Sequence, residues 1–199
     1  MKIKVWISVA LLTGCATLAL AQDASKQPAM SAEEQAAMEK WQKAMTPGAS
    51  HKTLETMAGT WDTSVTSWMA PGAPPQTSNG TSVNKMIMGG RYLEQRFSGS
   101  VMGQPFEGLG YTGYDNVTAK YWGSWMDNMS TGVMTSTGTG DGKSYKFAAT
   151  MSDPMSGGPS TAEERITVVD KDHHTFEMWG PGPDGKNFKM MEIKYSRKK

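Results

Sequence analysis

The segment from Gly108 to Gly113 reads G-x-G-x-x-G, a glycine spacing that is typical of nucleotide-binding loops. A dinucleotide site needs this motif between a strand and a helix, because the helix N-terminus must face the pyrophosphate. Here the glycines lie inside a strand-like pattern that runs into the turn signal Asp115-Asn116, and no helical periodicity follows. We therefore interpret them as relief of crowding, or as a bend, within a β-sheet.

Other residue types that could do chemistry give no catalytic arrangement either. The segment from Ser82 to Lys85 matches S-x-x-K, but side chains three positions apart on a strand point to opposite faces. His173 and His174 are adjacent, so on a strand they cannot both enter one cavity. We predict no catalytic residue and no metal site, since no spacing selects an acid–base pair among the carboxylates of the predicted strands, Glu94, Glu107, Asp127, Glu164, Glu177 and Glu192.

The elements that would position these side chains are strands, which recur along the chain and are separated by Gly, Pro, Asn and Asp. Short loops between consecutive strands favour an up-and-down antiparallel order, and closure of the sheet would remove its two edges. The sequence therefore predicts an all-β fold, a single closed barrel of about ten strands. The predicted strands are 58–69, 78–88, 91–100, 106–114, 120–127, 132–138, 143–151, 162–169, 173–179 and 188–197.

A short helix is predicted before the barrel. Ser31 and Glu34 have capping-box spacing, and Pro47-Gly48 ends the helix. Its apolar residues Met38, Trp41 and Met45 share one face. This face could contact a membrane or a partner, but we expect it to dock on the barrel of the same chain.

A ten-stranded barrel is too wide for side chains alone to fill, so a ligand cavity is expected inside it. The seventeen methionines are scattered through the strand pattern, which favours an adaptable cavity lining over a copper site. No cofactor is predicted, although His174 could serve as an axial haem ligand in the cavity. The candidate ligand-binding residues are Arg91, Gln95, Tyr121, Trp125 and His174.

Residues 1–21 have the pattern of a secretory leader, with a basic start, the apolar run 5–12 and the cleavage signal Ala19-Leu20-Ala21. The apolar run is too short to span a bilayer. Leu12-Thr13-Gly14-Cys15 resembles a bacterial lipoprotein box, but the apolar residues after Cys15 favour cleavage after Ala21. We expect a periplasmic or secreted protein, with a lipid anchor on Cys15 as the alternative.

Composition excludes several functional classes. Cys15 is the only cysteine, so the processed chain would have no disulfide, thiolate nucleophile or iron–sulfur cluster. The whole chain has a formal net charge of +1, and removal of a leader with Lys2 and Lys4 would leave 18 basic against 19 acidic residues. This balance gives no electrostatic reason to bind nucleic acid or an anionic membrane surface.

An ordered series of motifs resembles the bacterial family of unknown function numbered 1579. The motifs are HKTLETMAGTW, IMGGRYL, GQPFEGLGYTGYDN, KYWGSWMD and MEIKYSR, between His51 and Arg197. The resemblance implies a barrel similar to lipocalins and fatty-acid-binding proteins, and it implies no activity. Gly59-Thr60-Trp61 resembles the lipocalin G-x-W opening, and Arg197 resembles the arginine that packs on that tryptophan. The resemblance thus implies a structural role in barrel closure for Trp61 and Arg197.

The predicted organisation is a signal peptide at 1–21, a tether with the short amphipathic helix at 22–50, and a lipocalin-like barrel domain at 51–199. The predicted function is that of an exported protein which binds a small, mostly apolar ligand in the barrel cavity. An enzyme that uses the same cavity, haem-dependent or hydrolytic, is the alternative. A second alternative is an envelope interaction protein that uses the helix. The expected partner is a small apolar or amphipathic molecule, with no nucleic acid and no transmembrane span after the leader is removed.

Overall fold

Two helices precede the strands in the computed structural model, which describes residues 30–199. Helix α1 spans Ala32–Met45 and helix α2 spans Ala49–Glu55. The predicted leader, with Cys15 and the cleavage site after Ala21, lies outside the described residues, as does most of the predicted tether.

Ten strands follow, and each pairs antiparallel with the next one along the chain. The last strand also pairs with the first, so the sheet is a closed barrel without edges. This confirms the predicted up-and-down barrel of ten strands. The strands are β1 Gly59–Ser67, β2 Gln76–Ile87, β3 Tyr92–Val101, β4 Gln104–Asp115, β5 Lys120–Asp127, β6 Met134–Gly140, β7 Ser144–Asp153, β8 Gly158–Asp170, β9 His173–Pro181 and β10 Asn187–Arg197.

Helix α2 plugs one end of the barrel. Its Leu54 is fully buried and joins a core of barrel side chains that includes Leu93 and Phe147. The Thr53 hydroxyl lies 2.9 Å from the hydroxyl of Tyr121, which points from β5 towards the helix. Because this packing fills the barrel at the α2 end, free interior space can exist only further along the barrel axis.

Helix α1 begins with the predicted capping box, since the Ser31 hydroxyl accepts from the backbone N–H of Glu34 and the Glu34 carboxylate accepts from that of Ser31. The expectation that its apolar face docks on the barrel is wrong. No residue of α1 is buried, and Trp41 is 69% exposed. The physical reason is that the helix is held at its C-terminal end, whose last carbonyls lack partners within the helix. Asn116 donates to three of the backbone carbonyls there, and Arg91 donates to the carbonyl of Met45 at 2.7 Å.

The barrel closes where β1 meets β10, with Trp61 opposite Arg197 in the register. The Arg197 guanidinium lies over the Trp61 ring, 4.0 Å from its centre. It also donates to the backbone carbonyls of Thr56, Ala58 and Lys171 at 2.8–3.1 Å. A side chain at position 59 would overlap this guanidinium, and Gly59 has a φ of +128°. The geometry therefore accounts for the glycine and the tryptophan of the G-x-W motif together.

Replacement of Arg197 by Ala should lower the free energy of unfolding by about 3 kcal/mol, because charge-assisted hydrogen bonds and a cation–π contact are lost together. Urea denaturation measures this loss. The matched control is Arg96→Ala, because Arg96 is a 63% exposed side chain of β3 paired with Glu94. Its loss should cost less than about 1 kcal/mol. Equal losses in the two variants would contradict the special role of Arg197.

Candidate functional site

A cavity of about 450 Å³ occupies the barrel interior and reaches the loops at the end opposite α2, between β3 and β4 and between β5 and β6. Its size falls within the range of small-molecule sites, about 300–1,000 Å³. Most of its wall is apolar and aromatic. The larger apolar residues that line it are Val65, Phe97, Val101, Phe106, Trp125, Val133, Met134, Phe147, Met151, Ile166, Phe176, Met178, Met191 and Ile193.

Two of the five sequence-predicted ligand contacts, Gln95 and Trp125, line this cavity. The Gln95 side-chain amide donates to the Ser82 and Tyr195 hydroxyls, each at 3.2 Å. The indole N–H of Trp125 donates to the Asp127 carboxylate at 3.1 Å. These hydrogen bonds fix the orientation of both side chains in the wall.

Trp125 also explains glycines of the G-x-G-x-x-G segment. Gly108 and Gly110 lie beside Trp125 on the neighbouring strand, and a Cβ at either position would overlap the indole. Gly113 makes room for Trp122 in the same way. The glycines therefore relieve crowding by large side chains within a sheet.

Arg91 and Tyr121 do not line the cavity, which corrects their prediction as ligand contacts. Arg91 precedes the first residue of β3 and donates to the carbonyls of Met88 and Met45 outside the barrel. Tyr121 faces inward but lies at the end that α2 fills, with its hydroxyl close to Thr53. The two-residue period predicts which face a strand residue occupies, but it does not give the level of that residue along the barrel axis.

His174 likewise lies outside the cavity lining, and the prediction that it contacts a ligand there is corrected by its packing. Its ring stacks on Tyr195 with centres 4.1 Å apart and lies nearly perpendicular to the Trp61 ring, with centres 4.4 Å apart. Burial, with a smaller contribution from the nearby charge of Arg197, lowers the pKa of His174 to about 4. The imidazole is therefore neutral near pH 7, and its faces are covered by other rings instead of facing the open interior.

Glu164 is an acidic cavity residue that is not among the predicted ligand contacts. It lies on β8, is only 6% exposed and lines the cavity, opposite Phe147 and Met178 on the neighbouring strands. Burial raises the pKa of its carboxyl, and a hydrogen bond with the Ser136 side chain partly offsets this rise. Its alternation with Ala162 and Ile166 was the sequence signal for an inward position.

Residues 46–197 match a family model described as "Protein of unknown function (DUF1579)". The chain belongs to the DUF1579 family. The match confirms the resemblance found in the sequence motifs. No curated protein sequence matches this DUF1579 member.

Solved structures share the barrel fold of this DUF1579 member. Rv2717c from M. tuberculosis is 12% identical, with a TM-score of 0.54 over 77% of this chain and 100% of that chain. The S-type phycobiliprotein lyase CPES from Guillardia theta is 15% identical, with a TM-score of 0.51 over 81% of this chain and 97% of that chain. At these identities the likeness concerns the fold alone.

Two further properties of residues 30–199 bear on the site. No helix within this range has both the length and the apolar character that crossing a membrane requires. The same residues contain no group of three or more His, Cys, Asp and Glu side chains arranged to hold a metal ion.

The packing of His174 predicts a loss of stability in acid. The pKa of His174 is about 4 when folded and 6.5 as the ordinary value, so the unfolded chain binds more protons between these pH values. The contribution of His174 to the free energy of unfolding is thus fully present above about pH 6.5 and is lost as the pH falls through about 4. From about pH 7.5 to about pH 4 the loss should be about 3 kcal/mol.

His174→Gln should remove this part of the pH dependence. Denaturant titrations at several pH values would then show a smaller fall in the free energy of unfolding at acidic pH (the acid limb). The matched control is His173→Gln, because His173 has a 55% exposed side chain beside Asp170. The control should keep the acid limb of the wild type to within about 0.5 kcal/mol. If the His174 variant kept it as well, the buried neutral imidazole would not be its cause.

Proposed function

We propose that this DUF1579 member is an exported carrier or sensor that binds a small, mostly apolar ligand inside the barrel. The observation that carries the proposal is the cavity of about 450 Å³ with its mainly apolar wall. Polar side chains, among them Gln95 and Tyr195, interrupt this wall and could orient a ligand. Export is part of the proposal and rests on the leader pattern of residues 1–21.

The methionines of the wall support a binding role. Met134, Met151, Met178 and Met191 all line the cavity. Methionine is unbranched and flexible, so such a wall can adapt to ligands of different outline. The fold shared with a phycobiliprotein lyase does not select a ligand for this chain, because the two sequences are only 15% identical.

An enzyme that uses the same cavity is supported less well. Hydrolytic acid–base chemistry needs converging groups, and the two carboxyl side chains of the lining, Asp127 and Glu164, differ in role. Asp127 is engaged by the indole of Trp125, while Glu164 lies among apolar neighbours. His174, the candidate haem ligand, packs against Tyr195 and Trp61 and does not line the cavity.

An interaction protein is the second candidate, favoured by the apolar face of α1. Met38, Trp41 and Met45 are 57–69% exposed on this face. The helix is held at its end, so the face is available to a partner. A chain that used only this helix would have no need of an apolar cavity, and this is why binding in the barrel is the preferred function.

Nonan-1-ol, an uncharged probe of about ten heavy atoms, should bind the purified protein with one site per chain. Its volume, about 30 Å³ per heavy atom, fits within the cavity. Isothermal titration calorimetry measures the affinity. Val65→Trp should fill part of the cavity and weaken binding by about tenfold or more, because Val65 belongs to the wall.

The matched control for this test is Val83→Trp, since Val83 is 47% exposed. It should bind nonan-1-ol as the unchanged protein does. Equal affinity in the Val65 and Val83 variants, or no binding at all, would contradict a ligand site inside the barrel.

A further inference from the structure

We propose that the ligand of this cavity carries a cationic nitrogen, such as a protonated primary amine, which pairs with the carboxylate of Glu164. The apolar body of the ligand would fill the remainder of the barrel interior. This inference rests on the proposed binding function and specifies the chemical class of the ligand.

The charges of the cavity wall are the first reason. Among the described residues that line it, Asp127 and Glu164 are acidic, and none is Lys, Arg or His. Arg91 lies outside the barrel and His174 is a neutral part of the packing around Trp61. A ligand with a carboxylate would add a second negative charge beside these acidic side chains, in an apolar space without a counter-ion. Such an arrangement is strongly unfavourable.

The carboxyl groups of Asp127 and Glu164 differ in how many hydrogen bonds they accept from the protein. Asp127 accepts hydrogen bonds from the Trp125 indole at 3.1 Å and from the backbone N–H of Met129 at 3.0 Å. It ends β5 near the open end of the barrel, so its role in the wall is structural. This leaves Glu164 as the acidic group available to a ligand.

The surroundings of Glu164 are apolar on its own strand and on both neighbouring strands. Phe147 and Met178 lie opposite it in the register, and Ala162 and Ile166 flank it on the inward face of β8. The Ser136 side chain is the polar group that partly offsets the effect of burial on this carboxyl. An ionised carboxylate here lacks a counter-ion, which burial makes costly, and the raised pKa of Glu164 has the same cause.

A cationic ligand would supply the missing counter-ion. Pairing would stabilise the ionised carboxylate inside the barrel, where low polarity strengthens a charge-assisted hydrogen bond. Tyr195 on β10 lines the same cavity, and burial raises its pKa to about 12, so its hydroxyl stays neutral over the working pH range. Glu164 is therefore the acidic side chain with which a cationic ligand can pair in this predominantly apolar cavity.

Three probes with the same nine-carbon chain test the inference by calorimetry at about pH 7: nonylamine, nonan-1-ol and nonanoate. The protein should bind the amine about 10- to 100-fold more tightly than the alcohol, the range expected for a hydrogen bond to a charged group. Nonanoate should bind most weakly. Glu164→Gln should reduce the ratio of amine to alcohol affinity to about one.

Two further variants make the test decisive. Glu163→Gln is the matched control, since Glu163 is the neighbouring residue of β8 and pairs with Lys146 and Arg165 at 2.6 Å on the other face. It should keep the preference for the amine. Glu164→Met is a second replacement of similar size that removes the carboxyl, and it should lose the preference as Glu164→Gln does.

The outcomes separate this inference from the proposed function. If the alcohol binds as tightly as the amine, or if the preference for the amine persists in folded Glu164→Gln and Glu164→Met, the inference is overturned while the apolar cavity site stands. If none of the three probes binds, the proposed function fails, and the inference fails with it.

Discussion

The contact between Trp61 and Arg197 is the interaction on which the rest of the structure depends. An up-and-down order places the first and last strands side by side, and the barrel exists only if that seam holds. Arg197 joins the seam to the segment between α2 and β1 through the carbonyls of Thr56 and Ala58. The same side chain therefore closes the sheet and holds helix α2 at the end of the barrel, and His174 packs against Trp61.

Closure with ten strands determines what the interior can do. The α2 end is filled by Leu54 and its aromatic neighbours, whereas the opposite end keeps a cavity of about 450 Å³. In an apolar cavity the electrostatic interactions of each polar group are stronger, because the local polarity is low. Glu164 is the clearest example, since it is a buried acid beside Phe147 and Met178. The fold thus provides volume, and Glu164 is the group that we propose to select the ligand.

The sequence predicted the fold well because turn residues and the two-residue period are local signals. The same signals predicted that Gln95 and Trp125 face the interior, and both line the cavity. They did not give the position of a residue along the barrel axis, and Arg91 lies in the turn before β3. The amphipathic pattern of α1 identified an apolar face without showing what covers it, and the structure leaves Trp41 exposed. Glu164 was missed because charged residues are rarely buried inside a barrel. A glutamate at that point of the pattern could equally indicate a change of register that turns it outward.

The most direct test of the central claim is native mass spectrometry of the protein isolated from its cells without denaturation. If the barrel holds a ligand, we expect a discrete mass above that of the bare chain, which is released on unfolding and strongly reduced in Val65→Trp. Bare chain mass in the wild type, together with an absence of binding when apolar probes are added, would contradict the claim that the barrel holds a ligand.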